Sequence, residues 1–294
     1  MLMPMTRIVD LLAAGPTFSF EFFPPKTDEA QLALLKTIGQ LDPLRPSFVS
    51  ITYGAGGSTR ERTRDLVTWV RRDTSITPMA HLTCIGHSKS EIDEIVAKYW
   101  ESGVDNILAL GGDPSTDVDQ SSPTGFENDF EYAKDLVDHL RAKTDLSIGV
   151  AAHPEVHPRS PDRSSDRLHL AAKLRVADFA ITQFFFEVEH YVRLVEELAE
   201  LGVYSPIIPG IMPVTNKSQV VRMSQMSGAA FPGWLADRLA ETEDPDEVQR
   251  IGVDVATELC GQLLEVGAPG LHFYTLNRST STRQIYENLG LQNE

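Results

Sequence analysis

Hydrophobic positions along the chain follow two alternating rhythms. Short runs rich in β-branched and aromatic residues, at 18–23, 48–53, 79–84, 106–110, 147–151, 179–184, 207–211 and 271–274, read as strands. Between them lie longer amphipathic segments. Ile92, Ile95, Val96 and Tyr99 fall at i, i+3, i+4 and i+7, the spacing of one helix stripe facing a sheet. Tyr191, Leu194, Val195 and Leu198 repeat the pattern, and Ala133, Leu136, Val137 and Leu140 make a third stripe. Strand followed by helix is what a parallel sheet with helical crossovers requires, and most units recur at roughly thirty residues, the size of one βα unit. Eight such units predict an α/β fold of the (β/α)8 TIM barrel type rather than an open doubly wound sheet. No linker divides the chain, so residues 1–294 are expected to form a single catalytic barrel. The interval before the last strand is about twice the usual length, and 232–265 is expected to supply extra helices there. Residues 113–129, rich in Asp, Ser, Pro and Gly, read as a long loop after the fourth strand.

Composition narrows the partners. A net charge of −16 opposes binding to a phosphate backbone, so nucleic acid is not expected. Cys84 and Cys260 are far apart and in no metal-type spacing, which suits a reducing compartment. The apolar stretch in residues 1–16 is too short for a signal peptide, and no run is long enough to span a bilayer. A cytoplasmic protein acting on a small molecule, without membrane partners and compatible with a homo-oligomer, is the expectation.

In such barrels reactive groups gather at the C-terminal ends of the strands. In the first strand Phe18, Phe20 and Phe22 share one face, whereas Ser19, Glu21 and Phe23 share the other, which puts a carboxylate into the lumen. Flanking phenylalanines would desolvate it, and desolvation favours the protonated form that a general acid needs. A core glutamate neutralised by Arg or Lys is the competing reading. Thr52 and Tyr53 close the second strand and His81 lies in the third; each is equally readable as a satisfied core group. The turn Gly111-Gly112-Asp113-Pro114 could bring backbone amides and a carboxylate to a ligand, or be only a turn. His153 and His157 are each followed by a proline, Pro154 and Pro158, which disfavour a helix, so they do not share a face as metal ligands would, and no metal is expected. Gln183 ends the sixth strand, Asn216 and Gln219 open the helix after the seventh, and Asn277-Arg278 follow the eighth. An Arg at a barrel mouth can grip an anion or form a rim salt bridge.

These segments together resemble the methylenetetrahydrofolate reductase family. The resemblance runs in order through Ser19-Phe20-Glu21-Phe22-Phe23-Pro24-Pro25-Lys26, Phe48-Val49-Ser50-Ile51-Thr52-Tyr53-Gly54-Ala55, His81-Leu82-Thr83-Cys84 and Pro154-Glu155-Val156-His157-Pro158. It continues through Ile181-Thr182-Gln183-Phe184-Phe185-Phe186, Ile207-Ile208-Pro209-Gly210-Ile211 and Phe273-Tyr274-Thr275-Leu276-Asn277-Arg278. It implies an oxidoreductase of one-carbon metabolism, on the route to methionine, that reduces a folate with NADH or NADPH. By the resemblance, Glu21 matches the acid that protonates N10, and Asp113 matches the aspartate that holds the pterin and favours the cationic intermediate. Gln183 matches a contact shared by pterin and nicotinamide, and Gln219 and Arg278 match further substrate contacts. The family holds FAD in the barrel mouth, and Thr52, Tyr53, His81, Tyr132, His157, Asp166, Lys173 and Gln183 match positions that touch it.

The sequence also departs from the pattern. The family's Arg-Gly-Asp reads Gly111-Gly112-Asp113, His153 replaces a Tyr, and the loop after Asp113 carries Asp117, Asp119, Glu127 and Asp129. Carboxylates near a pyrophosphate oppose its binding. These departures lead to the expectation that FAD is held weakly or not at all, with hydride passing directly from nicotinamide to folate; a basic side chain such as Lys173 or Arg175 replacing the lost Arg is the alternative. Two other functions compete: a catalytically silent folate-binding relative, and a folate-dependent methyltransferase barrel that needs no hydride donor.

Overall fold

A computed structural model describes residues 6–53, 57–112 and 129–291, with 57–59 described by their backbone only. The chain runs α1 (Ile8–Ala14), β1 (Thr17–Phe22), α2 (Asp28–Leu41), β2 (Phe48–Ile51), α3 (Gly57–Asp73), β3 (Thr77–Thr83), α4 (Lys89–Glu101), β4 (Asn106–Leu110), α5 (Ala133–Lys143), β5 (Ser147–Ala152), α6 (Arg163–Leu174), β6 (Phe179–Thr182), α7 (Val188–Glu200), β7 (Ile207–Ile208), β8 (Gly210–Ile211), α8 (Lys217–Ser227), α9 (Gly233–Ala240), α10 (Pro245–Glu265), β9 (Gly270–Tyr274) and α11 (Thr280–Asn288). All strand pairings are parallel, in the order β7-β6-β5-β4-β3-β2-β1-β9-β8.

The segment expected as one strand at 207–211 is two. Pro209 has no N–H to give to a ladder, and the chain changes partner across it. Ile207 and Ile208 pair with Ala180 and Ile181, whereas Gly210 and Ile211 pair with His272 and Phe273. The Pro209 carbonyl still accepts from the His272 amide at 2.9 Å, so the divided strand joins β6 to β9 and the sheet closes as an eight-stave (β/α)8 barrel.

Period-two alternation sorts the strand residues between two cores. Phe20 and Phe22 face outward, into the layer shared with Leu34 and Ile38 of α2 and Tyr286 of α11. Phe48, Met79, Leu108, Phe179, Ile181 and Ile208 face inward and fill the lower lumen. Gly149 leaves the space for this filling, because a Cβ there would lie 2.6 Å from the Phe179 ring. Ile8 of α1 joins the same cluster, and its amide donates to Asn106 Oδ1 at 2.7 Å at the start of β4. The Val9 amide likewise donates to Ser147 Oγ at the start of β5, so α1 stoppers the N-terminal end of the barrel.

The helices begin where the sequence offers caps. Ser88 and Glu91 form a reciprocal capping box on α4, and Thr27, Asp162, Asn216 and Asp244 accept from first-turn amides of α2, α6, α8 and α10. The expected stripes on α4 and α5 face the sheet through Ile92, Val96 and Tyr99, and through Leu136, Val137 and Leu140. On α7 the stripe narrows to Tyr191, Leu194 and Leu198; Val195 is exposed, because it lies on the flank of that line. The extra helices before the last strand are α9 and α10, and with α8 they enclose a second small core of Met212, Val214, Leu235, Leu239 and Ile251 under Phe184 and Phe186. Among the described residues, no helix is long and apolar enough to cross a membrane.

Candidate active site

Because every stave is parallel, the C-terminal ends of all strands open on one rim. Glu21, Thr52 and Tyr53, His81, His153, Gln183 and Arg278 therefore share that rim or the lumen just below it, at the ends of β1, β2, β3, β5, β6 and β9.

At the centre Glu21 is 6% exposed and points inward, as its parity requires. Its neighbours are not the phenylalanines of β1, which lie on the other face, but polar groups from three staves. Ser50 Oγ donates to Glu21 Oε2 at 3.4 Å, His81 Nε2 stands 3.4 Å from the same oxygen, and His272 Nε2 stands 3.7 Å away. His272 is fully buried, with Nδ1 2.8 Å from Ser19 Oγ and Nε2 3.4 Å from Ser50 Oγ. Burial pushes the His81 imidazole down to about 4, against the pull of Glu21, so His81 is neutral near pH 7. His81 Nε2 makes no hydrogen bond to any described residue, which leaves a buried nitrogen aimed at the carboxyl group and available to a ligand or water. The carboxyl group thus sits among hydroxyl and imidazole groups, with no Arg or Lys paired to it among the described residues.

The rim residues divide into two groups. Gln183 is half-buried, with its backbone amide donating to Ala152 O at 2.7 Å and its Oε1 accepting from the Phe184 amide. Gln219 lies exposed in the first turn of α8, over the Asn216 cap, and Arg278 is exposed after β9. Several positions matched to flavin contacts are instead engaged within the protein. Asp166 Oδ2 accepts from Arg167 at 2.6 Å, while Oδ1 accepts from the His157 amide and Ser160 Oγ. Lys173 Nζ donates to the Ala151 carbonyl at 3.0 Å, and burial pushes its ammonium down to about 8. The Tyr53 hydroxyl is 3.1 Å from His87 Nε2, under the Arg60 guanidinium. The His153 ring meets the His157 ring edge-on at 4.4 Å, and Tyr132 is exposed at the start of α5. Thr52 follows β2 with its amide on the Phe22 carbonyl.

A Cβ added at Gly111 would meet nothing within 4 Å among the described residues, so space for a side chain is open but unused. A cation that the sequence reading did not single out stands beside this gap: Arg159 donates to the Gly112 carbonyl at 3.2 Å from the loop after β5. Arg175 instead donates to Leu201 O, away from the mouth. Asp113, with Asp117, Asp119 and Glu127, lies outside the described residues. Asp129, at the end of the same loop, accepts from the Lys89 amide at the start of α4.

Against this geometry, the methylenetetrahydrofolate reductase family model matches residues 5–290. The chain belongs to the methylenetetrahydrofolate reductase family. It is 38% identical over 276 residues to the 5,10-methylenetetrahydrofolate reductase of Escherichia coli strain K12, covering 93% of this chain and 90% of that one. The enzyme of the same name from Buchnera aphidicola of Acyrthosiphon pisum is 40% identical over 278 residues, covering 93% and 91%. Methylenetetrahydrofolate reductase 1 of Schizosaccharomyces pombe is 38% identical over 95% of this chain, which spans 46% of that longer protein. Among solved structures, a Clostridium thermocellum protein described as binding two copies of 5-methyl-5,6,7,8-tetrahydrofolic acid superposes with a TM-score of 0.65 at 14% identity, covering 95% of this chain and 96% of that one. At that identity the likeness speaks for the barrel alone. Membership of the family makes the chain an oxidoreductase of folate one-carbon metabolism, in line with the reduction of methylenetetrahydrofolate for which the family is named.

The sequence reading missed His272 and Ser50 as neighbours of Glu21. Parity was the available signal for His272: it alternates with Phe273 and shares a face with Tyr274, so an imidazole in an otherwise apolar strand had to enter the lumen.

Proposed function

We propose that the chain converts 5,10-methylenetetrahydrofolate to 5-methyltetrahydrofolate with a hydride from NADH or NADPH, and that Glu21 is the acid that opens the folate ring. The observation that carries this reading is one buried carboxyl group at the C-terminal end of the barrel, bordered by Ser50, His81 and His272 and by no permanent cation among the described residues. A carboxyl group so placed faces the end of the barrel where a substrate nitrogen would bind, the geometry that proton transfer by a general acid requires. Protonation at N10 breaks the bond between N10 and the bridging carbon; the bond pair stays on N10, and the carbon remains on N5 as an iminium. The carboxylate left behind accepts from Ser50 Oγ, while neutral His81 leaves its nitrogen free to orient the transferring group. When bound, the reduced nicotinamide supplies the hydride that the exocyclic carbon takes up. On the resemblance in sequence, we assign Asp113 to the pterin edge, with Gln183, Gln219 and Arg278 as further substrate contacts.

The pocket fits FAD poorly. Position 111 lacks a cation, and both Asp166 oxygens, Lys173 Nζ and the Tyr53 hydroxyl are already committed to protein partners. A flavin would have to share or compete with these bonds, each worth about 1 kcal/mol or somewhat more where a charged group takes part. This supports direct hydride transfer, which needs both substrates in the mouth together. Purified protein should be colourless, should oxidise NADH only when methylenetetrahydrofolate is present, and should give intersecting initial-rate lines. Stoichiometric FAD released on denaturation, with parallel lines, would refute direct transfer. Folate binding without NADH oxidation would point to a silent binder, and methyl transfer without nicotinamide to a methyltransferase.

A further inference from the structure

The catalytic carboxyl group sits on the penultimate residue of β1, and the turn after β9 grips that strand end on both sides of Phe22. Thr275 Oγ1 donates to the main-chain carbonyl of Glu21 at 2.6 Å, just past the last β1–β9 register pair, Glu21 with Tyr274. Two residues on, the Asn277 side chain makes a two-point amide clamp on Phe23. Its Oδ1 accepts from the Phe23 amide at 2.8 Å, and its Nδ2 donates to the Phe23 carbonyl at 2.9 Å. The turn is itself fastened. Asn277 N donates to Thr275 Oγ1, Arg278 N donates to the Thr275 carbonyl, and Thr37 Oγ1 of α2 donates to the Asn277 carbonyl.

This arrangement is bought with backbone strain. Leu276 and Asn277 lie at φ +50° and +59°, two of three non-glycine residues with positive φ among the described residues. Asn tolerates that region, whereas Leu does not adopt it readily. A turn whose only task was to link β9 to α11 would use glycine there. The strained form instead aims the Thr275 hydroxyl and the Asn277 amide at β1. We infer that Thr275 and Asn277 are positioning residues for the acid: they fix the depth and rotation of β1 at Glu21, and so the distance from its carboxyl group to the folate nitrogen. The inference rests on the role proposed above for Glu21.

General-acid transfer needs heavy-atom separations near 3 Å, and misplacement by about 1 Å can cost roughly 100-fold in rate. Thr275→Val keeps the shape of the side chain and removes the donor. Asn277→Gly keeps the left-handed turn and removes the clamp. Each variant should lower kcat about 10-fold or more, with folate Kd within about threefold of the parent, whereas Thr275→Ser, which retains the hydroxyl, should restore most of the lost rate. The deciding measurement is the double-mutant cycle with Glu21→Gln, with thermal midpoints recorded for every variant. If the turn acts through the acid, Thr275→Val should add little to the loss already caused by Glu21→Gln. Losses that multiply in the double variant, or a kcat for Thr275→Val and Asn277→Gly near that of the parent, would overturn the inference. Near-parental turnover of the Glu21→Gln single variant would instead overturn the acid assignment itself, so the two failures are distinct.

Discussion

Replacing Glu21 with Gln is the sharpest test of the lumen acid. The side chains are nearly isosteric, and the contacts that hold the carboxyl group are long: 3.4 Å to Ser50, 3.4 Å to His81 and 3.7 Å to His272. None has the short length of a charge-assisted hydrogen bond, so their loss should cost under about 1 kcal/mol of stability. Neutral His81, with its unsatisfied Nε2, can face an amide as readily as a carboxyl group. Structure and folate affinity should therefore survive while the transferable proton is lost. General acid catalysis is worth roughly 100-fold or more, about 2.7 kcal/mol on the barrier. Steady-state nicotinamide oxidation should show that fall in kcat, single-turnover mixing should place it in the chemical step, and titration should return a folate Kd within about threefold of the parent. Turnover near that of the parent would remove Glu21 from the mechanism. An equal loss in binding would make it a substrate contact rather than the acid.

Acidification should destabilise the fold before most carboxylates titrate. Burial pushes His81 and His87 down to about 4 and His153 to about 3, whereas unfolded imidazoles take protons near 6.5. Below that value the unfolded chain binds more protons, so this stability is fully present above about 6.5 and is lost as pH falls toward 4. Urea midpoints should drop across that window, and His153→Phe should lessen the slope by up to about 1.4 kcal/mol per pH unit; midpoints that hold steady would refute the assignment of neutral buried imidazoles. Gly252→Ala tests how the second small core of α8, α9 and α10 is seated. A Cβ there would overlap the Val214 carbonyl, so about 3 kcal/mol should be lost and the thermal midpoint should fall by roughly 5 °C; an unchanged midpoint would show that α10 is loosely seated.

Much of this was legible in residue order, and the reasons are physical. Strand existence followed from short β-branched runs, and the inward direction of Glu21 from period-two parity, because neither depends on distant contacts. What surrounds Glu21 did depend on them. His272 reaches it only because the barrel closes β9 onto β1, a pairing across some 250 positions that no local pattern encodes. The division at Pro209 was visible as a residue without an amide, but its effect, a change of partner from β6 to β9, needed the closed sheet. The Asn277 clamp was hidden for another reason: Asn277 suits a left-handed turn, but Leu276 before it carries no such signature, so two successive left-handed residues were not announced. Arg159 went unnoticed because its value lies in a neighbour, the carbonyl of Gly112, brought close by the β4 and β5 ends.

The helix that stoppers the barrel has a bearing on traffic. With Ile8 wedged among the lower lumen side chains, the described residues close the N-terminal end of the barrel and leave the C-terminal rim to a small molecule. Direct hydride transfer would seat two partners together at that rim. Where one of them lies beneath the other, the lower one arrives first and departs last, so the order in which product and spent nicotinamide come off reports their stacking.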